Sequence, residues 1–183
     1  MRVFIALDIA DSIRQSITEY VNRVRGLAPD ARWARPESLH VTLKFIGEAS
    51  DARVQEIKNA LSTVQAAPFA IKFQDVGFFP NPKSPRVFWV GMSAGEALPQ
   101  LAATVDAALV KVGVPGEEKA YRPHLTVART GSGPGAKHQL QPLANAEAPP
   151  QFGTMMAREF WLYRSEPQRG GSRYTKLERF GLE

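Results

Sequence analysis

Apolar and polar residues along this chain follow two rhythms, one of period two and one near three and a half, and the rhythms exchange in a repeating order. The run Val3-Phe4-Ile5-Ala6-Leu7 predicts a strand over residues 2–7. Ile13, Ile17, Tyr20, Val21 and Val24 then share one helical face, predicting a helix from about residue 11 to 25. A loop carrying Pro29 and Pro36 leads to a strand over residues 39–46, closed by Gly47. Ser50 or Asp51 caps a second helix bearing Val54, Ile57, Leu61 and Val64, and a third strand follows over about residues 69–78.

The same order then recurs. A strand is predicted over residues 86–92, a helix over about 99–112 with Pro99 in its first turn, and a strand over 123–128. Gly113 and Pro115 stop the helix. After the Gly-rich loop at residues 131–135 come a short helix over 137–145 and two strands, about 155–163 and 173–180. The order β-α-β-α-β thus occurs twice, over about residues 2–78 and 86–163, with a final strand at about 172–180. It lacks the regular alternation of a doubly wound sheet, and no Gly-rich phosphate loop is present. An α+β sandwich of two related sheets is expected, formed as one domain over residues 1–183 with two lobes. Pro80-Asn81-Pro82-Lys83-Ser84-Pro85 joins the halves as a turn-rich, proline-stiffened connection that should hold the lobes close.

The repeat carries chemistry. Shifted by 84 positions, the difference between His40 and His124, the chain overlays Arg2, Val3 and Phe4 on Arg86, Val87 and Phe88. The same shift overlays His40-Val41-Thr42-Leu43 on His124-Leu125-Thr126-Val127. Residues two apart on a strand share a face. His40 and Thr42 therefore face one way with Lys44, while Val41, Leu43 and Phe45 turn to the core; His124 and Thr126 do the same in the second copy. If the halves pack about an approximate twofold axis, two imidazoles and two hydroxyls line one cleft. Core packing does not require the same polar pair twice at one offset. In-line displacement at phosphorus suits such a set, because histidine serves as acid or base near neutrality, while hydroxyls and cations hold the non-bridging oxygens. No metal is needed for this. A zinc site from His40, His124 and His138 is the weaker reading, since His138 sits in a polar segment without a counterpart in the first copy.

Composition bounds the rest. Hydrophobic residues are 44% and charged residues 22%, which is globular usage. Cysteine is absent, which excludes disulfides and thiolate chemistry and fits a reducing compartment, with the cytoplasm as the expectation. The first apolar run is too short for a signal segment or membrane span. A net charge of +5 favours a polyanionic partner.

The segments Arg32-Trp33-Ala34-Arg35-Pro36-Glu37-Ser38-Leu39-His40-Val41-Thr42-Leu43-Lys44-Phe45-Ile46-Gly47 and Tyr121-Arg122-Pro123-His124-Leu125-Thr126-Val127-Ala128-Arg129 resemble the two signature blocks of the RNA 2′,3′-cyclic phosphodiesterases. These enzymes belong to the 2H phosphoesterase superfamily and were first described as 2′-5′ RNA ligases. Residues 3–8, 79–82 and 171–175 match as well, so the likeness spans nearly the whole chain. The resemblance implies a bilobal fold, two antiparallel sheets about a central cleft with helices outside, and no metal or other cofactor. It implies hydrolysis of a ribose 2′,3′-cyclic phosphate to a 2′-phosphomonoester, with His40 as proton donor and His124 as proton acceptor. Its partners would be RNA ending in a cyclic phosphate, or a small cyclic nucleotide, bound by a monomer. Thr42 and Thr126 would bind the phosphate. Arg122, Arg129 and Lys44 are the cations expected near it, although strand parity turns Arg129 away from His124 unless a bulge intervenes. Tyr121, Tyr174, Phe45 and Trp33 are candidate platforms for a base, with parity placing Phe45 in the core. Reversible 2′-5′ ligation could accompany hydrolysis; the alternative is an RNA-end binding module without significant catalysis.

Overall fold

The computed structural model describes residues 1–183. Nine strands and three α-helices alternate along it. In chain order they are β1 (Arg2–Asp8), α1 (Asp11–Val24), β2 (Arg32–Trp33), β3 (His40–Glu48), α2 (Asp51–Leu61), β4 (Phe69–Phe79), β5 (Val87–Ser93), α3 (Ala97–Val110), β6 (His124–Arg129), β7 (Gly153–Ala157), β8 (Glu159–Gln168) and β9 (Gly171–Gly181). The strands form two antiparallel sheets, ordered β3-β1-β8-β9 and β2-β6-β5-β4-β7. The fold class is the expected α+β arrangement of two sheets.

The helices form where the periodicity places them. α1 buries Ile13, Ile17, Tyr20, Val21 and Val24. α2 starts at Ser50, whose hydroxyl accepts a hydrogen bond from the Arg53 amide at 3.1 Å, one of the orphan donors of a helix start. α3 buries Leu98, Leu101, Val105 and Leu109 and ends before Gly113, which takes φ +83° while the Val114 amide returns to the Leu109 carbonyl. All three helices contribute to one hydrophobic core of 41 buried residues, so the two sheets belong to a single packed unit. β1 is buried on both faces. Val3, Ile5 and Leu7 join the main core, and Phe4 and Ala6 form a separate cluster with Tyr163.

Two expectations are corrected, and one strand is additional. The strand expected over residues 155–163 is two strands, β7 and β8, which belong to different sheets and break at Arg158. The helix expected over residues 137–145 is two 3-10 turns, Ala136–His138 and Gln141–Asn145, separated by Leu140, whose side chain is fully buried. β2, only two residues long, carries too little pattern to be read from sequence.

Strand exchange relates the two halves. β1 and β3 lie in the first sheet, while β2 and β4 of the same half join the second; β8 and β9 of the second half return to the first. Each sheet therefore contains strands from both halves. The matched positions are β1 with β5, β3 with β6, and β8 with β4. Pairing with the tetrad strands puts Phe4 opposite Phe45 and Val87 opposite Arg129, so in space Phe4 matches Val87 and not Phe88. The overlay by sequence slips by one residue there.

One glycine carries much of the close packing beneath the second tetrad. Gly77 on β4 lies opposite Trp89 on β5, and a Cβ at Gly77 would fall 2.2 Å from the indole. The indole also lies 5.2 Å, centroid to centroid, from the Phe79 ring, which in turn meets His124 edge-on. Gly77→Ala should therefore displace a rigid ring from a packed site, lowering stability by about 1–3 kcal/mol. Urea denaturation at equilibrium measures this, and an unchanged midpoint would contradict the packing described.

Candidate active site

β3 and β6 open with the tetrads and alternate as expected for their first four residues. His40 and Thr42 are half-buried while Val41 and Leu43 are buried; His124 and Thr126 are half-buried while Leu125 and Val127 are buried. Both strands then break the alternation at the same place. In β3 the pairing with β1 passes from Thr42 to Lys44, leaving Leu43 as the extra residue. In β6 the pairing with β5 passes from Thr126 to Ala128, leaving Val127 extra. Each is a β-bulge, which turns the side chains that follow it to the opposite face, until a second irregularity at Ile46 in β3.

The bulges overturn two expectations read from the sequence, for Lys44 and Phe45, and supply the break that Arg129 needed. Lys44 does not share the open face of His40. Its side chain is 3% exposed, and its ammonium donates to Asp106 Oδ1 at 2.5 Å, the Pro115 carbonyl at 2.8 Å and Glu117 Oε1 at 3.3 Å. It braces β3 against α3 and the segment after it. Phe45 leaves the core and stands 63% exposed in the cleft wall. Arg129, at the matching place on β6, is exposed on the cleft side and close enough to His40 to act on it electrostatically.

Both imidazoles are held in the same way. Nδ1 of His40 lies 2.7 Å from the Ser38 carbonyl, and Nδ1 of His124 lies 2.7 Å from the Arg122 carbonyl. A carbonyl only accepts, so each Nδ1 carries a proton and each Nε2 is left for chemistry. Here the two differ. Nε2 of His40 is 2.9 Å from the Thr42 hydroxyl, whereas Nε2 of His124 has no partner within the protein. His40 packs against Phe4 at 4.9 Å and edge-on against Tyr174 at 5.2 Å; His124 packs edge-on against Phe79 at 5.0 Å. Burial lowers the pKa of His40 below its ordinary value, aided by Arg129 and Arg14 and opposed by the Ser38 carbonyl and Asp8.

One cleft of about 1280 Å³ is lined by both histidines and both threonines. Arg122, Arg129 and Tyr174 also line it. The Tyr121 ring does too, but its hydroxyl donates to the Thr42 carbonyl at 2.7 Å, so it straps the second copy to the first. Burial raises the pKa of that phenol. Trp33 lines the wall with its indole N–H on the Ala28 carbonyl at 2.9 Å. His138 is outside the cleft, 3.1 Å from the Gln141 side chain.

Sequence reasoning missed three cations of this wall: Arg32, Arg35 and Lys119. Arg32 stands directly opposite Arg129 in the β2–β6 pairing. Like charges so placed repel, and an anion between them relieves the repulsion. Arg35 is anchored on the Ser172 carbonyl at 3.0 Å, tying the segment before the first tetrad to β9. The arginines flanking Trp33 were visible in the signature block, yet the two-residue β2 gave no periodicity to aim them.

The contrast between Lys44 and Arg129 is open to test. Lys44→Met removes the partner of a partly buried carboxylate and should lower stability by about 3 kcal/mol, read from the unfolding midpoint. Arg129→Met should leave that midpoint within about 0.5 kcal/mol while weakening binding of inorganic phosphate, read by calorimetry.

Comparison with known proteins agrees with this geometry. The profile described as LigT like Phosphoesterase matches residues 7–89 and again residues 90–174, one tetrad in each match. The RNA 2′,3′-cyclic phosphodiesterase of Archaeoglobus fulgidus is 35% identical over 180 residues, covering 98% of this chain and 99% of that protein. That of Methanothermobacter thermautotrophicus is 32% identical over 184 residues, covering 100% and 99%. Among solved structures, E. coli LigT complexed with 3′-AMP superposes with a TM-score of 0.82 at 28% identity, over 99% of this chain and 97% of that one. With its two tetrads on matching strands and both halves accounted for, the chain belongs to the LigT-like phosphoesterase family.

Proposed function

We propose that the protein hydrolyses the 2′,3′-cyclic phosphate of an RNA end, or of a small cyclic nucleotide, to a 2′-phosphomonoester, using His40 as acid and His124 as base. The observation that carries this reading is the pair of imidazoles on one cleft, each with Nδ1 fixed by a main-chain carbonyl at 2.7 Å. The names of the relatives in Archaeoglobus fulgidus and Methanothermobacter thermautotrophicus support the substrate class.

The geometry supports the following step. Water attacks phosphorus as Nε2 of His124 takes its proton, and the bond from phosphorus to the 3′ oxygen breaks as Nε2 of His40 delivers a proton to that oxygen. His124 ends protonated and His40 neutral, and exchange with solvent restores the starting state. Nε2 of His124, free of protein partners, suits the acceptor. The Thr42 hydroxyl, 2.9 Å from Nε2 of His40, holds the donor's ring face until a leaving oxygen takes its place. Thr42 and Thr126 then serve the non-bridging oxygens, with Arg129 and Arg122 offsetting their charge. The exposed Phe45 ring and the half-buried Tyr174 ring offer apolar faces to the nucleoside.

When a 5′-hydroxyl replaces water as the nucleophile, Nε2 of His124 takes its proton and His40 protonates the departing 3′ oxygen, so the cyclic phosphate opens to a 2′-5′ diester. Ligation by the same residues accompanies hydrolysis, and its reverse returns the cyclic phosphate, without being the main direction. The reaction as drawn requires no metal. A cysteine-free chain suits a reducing compartment, and we place the protein in the cytoplasm as a monomer. No helix is long and apolar enough to cross a membrane.

Two measurements test the reading. His40→Ala and His124→Ala should each lower kcat on a nucleoside 2′,3′-cyclic phosphate by about 10²-fold or more in chelator-treated buffer. Turnover unchanged in both variants would refute it, and salt-sensitive binding without product would point to an RNA-end binding module. Digestion of an oligonucleotide with a cyclic-phosphate end should release the 2′ isomer; a 3′-phosphate would reverse the roles of the two histidines.

A further inference from the structure

The two tetrads are alike in sequence, but what stands beside each histidine is not. Across the β1–β3 pairing, the residue opposite His40 is Asp8; across β5–β6, the residue opposite His124 is Gly91. A side chain at Gly91 has no room, since a Cβ there would lie 2.7 Å from the Gln74 carbonyl. Asp75, in the bulge of β4 beside Gly91, is exposed and does not line the cleft.

Asp8 is tightly engaged. Its Oδ1 accepts from the Ile9 amide at 2.9 Å and from Arg14 Nη2 at 2.8 Å, and its Oδ2 accepts from Lys176 Nζ at 2.6 Å. The other arm of Arg14 donates to the Pro36 carbonyl and, at 3.4 Å, to the Leu39 carbonyl. Those two carbonyls bracket Ser38, whose own carbonyl holds Nδ1 of His40. A second cavity, about 620 Å³, opens beside His40 on this side and is lined by Asp8, Arg14, Glu37, Tyr174 and Lys176.

We propose that Asp8 is the positioning residue that makes His40 the proton donor of the pair, fixing through Arg14 the turn that orients the ring and stabilising the imidazolium by its charge. Gly91 gives His124 no equivalent, and His124 is left as the acceptor. This rests on the phosphodiesterase reading above. The charged groups around His40 come from every neighbouring element: Asp8 on β1, Arg14 on α1, Glu37 on the turn before β3, Arg129 on β6, and Arg173 and Lys176 on β9. Tyr163 on β8 and Tyr174 on β9 contribute neutral rings. Cations outnumber carboxylates in this set, and burial already disfavours the charged imidazole, so two groups keep His40 protonatable: the Ser38 carbonyl on its Nδ1 first, and then Asp8, the one carboxylate in direct register with it.

The sign of the effect follows from the donor's role. Removing a negative charge lowers the pKa of His40. The protonated fraction then falls wherever His40 is mostly neutral, and is unchanged at pH values low enough to protonate it fully. Asp8→Asn should therefore reduce kcat/KM for a nucleoside 2′,3′-cyclic phosphate about three- to tenfold near pH 8, and converge on the wild type on the acid side. NMR titration should place His40 lower than in the wild type, while Lys176→Met, which frees the carboxylate of a cation, should move it higher. Equal loss at every pH with His40 titrating unchanged in both variants would reduce Asp8 to a structural role and overturn the proposal. Increased activity on the acid side in Asp8→Asn would make His40 the acceptor, with the same result. Should Asp8→Asn fail to fold, Asp8→Ser, which also removes the charge, takes its place with the same downward shift of His40 expected, and an unchanged titration there would overturn the proposal. A wild type without turnover would instead sink the phosphodiesterase reading, and the two titrations would still report whether Asp8 governs the ring.

Discussion

The site depends on one extra residue in each tetrad strand. A strand in strict alternation would send Phe45 and Arg129 into the apolar interior and leave Lys44 on the open face. Inserting Leu43 and Val127 against their partner strands lets the first four residues keep the alternation that seats the histidines, while the fifth turns inward and the sixth outward. The insertion also resolves the burial of Lys44, because the same shift that hides its stem brings the ammonium within reach of Asp106 and Glu117. The ion pair is thus a consequence of the bulge, and it holds β3 against a helix from the other half.

Identical bulges with different occupants give the cleft a direction. The duplicated position carries a phenyl ring in one copy and a guanidinium in the other. A nucleotide has an apolar base and an anionic phosphate, so a cleft with one aromatic and one cationic shoulder favours one orientation of it. The surroundings of the histidines diverge in the same sense, with Asp8 opposite one and Gly91 opposite the other. A nearly symmetric scaffold carries an asymmetric site because the residues adjoining the tetrads differ, while each tetrad keeps its histidine and threonine.

Much of this was legible in the sequence. The three long helices, the tetrads and the strands bearing them follow from periodicities of 3.6 and 2, which depend on local pattern alone. The bulges do not, because an extra residue is defined by its partner strand, and the parity rule therefore misplaced Lys44 and Phe45 while flagging that Arg129 needed such a break. The join at Arg158 was missed because residues 155–163 are strand on both sides of it, and only the sheet each side enters tells them apart. Residues 137–145 carry helical composition, yet a buried Leu140 between two tight turns replaces the continuous helix. Arg32, Arg35 and Lys119 sit in short or irregular segments where side-chain direction has no period to follow.

The exchange of β4 and β8 between sheets bears on how the molecule holds together. Neither half, taken alone, could complete either sheet: the first would lack the strand that flanks β1, and the second the strand that flanks β5. Because residues 80–85 join the halves in one polypeptide, the strand each must borrow is supplied by the same chain, so completing the sheets is an event within one molecule and independent of its concentration.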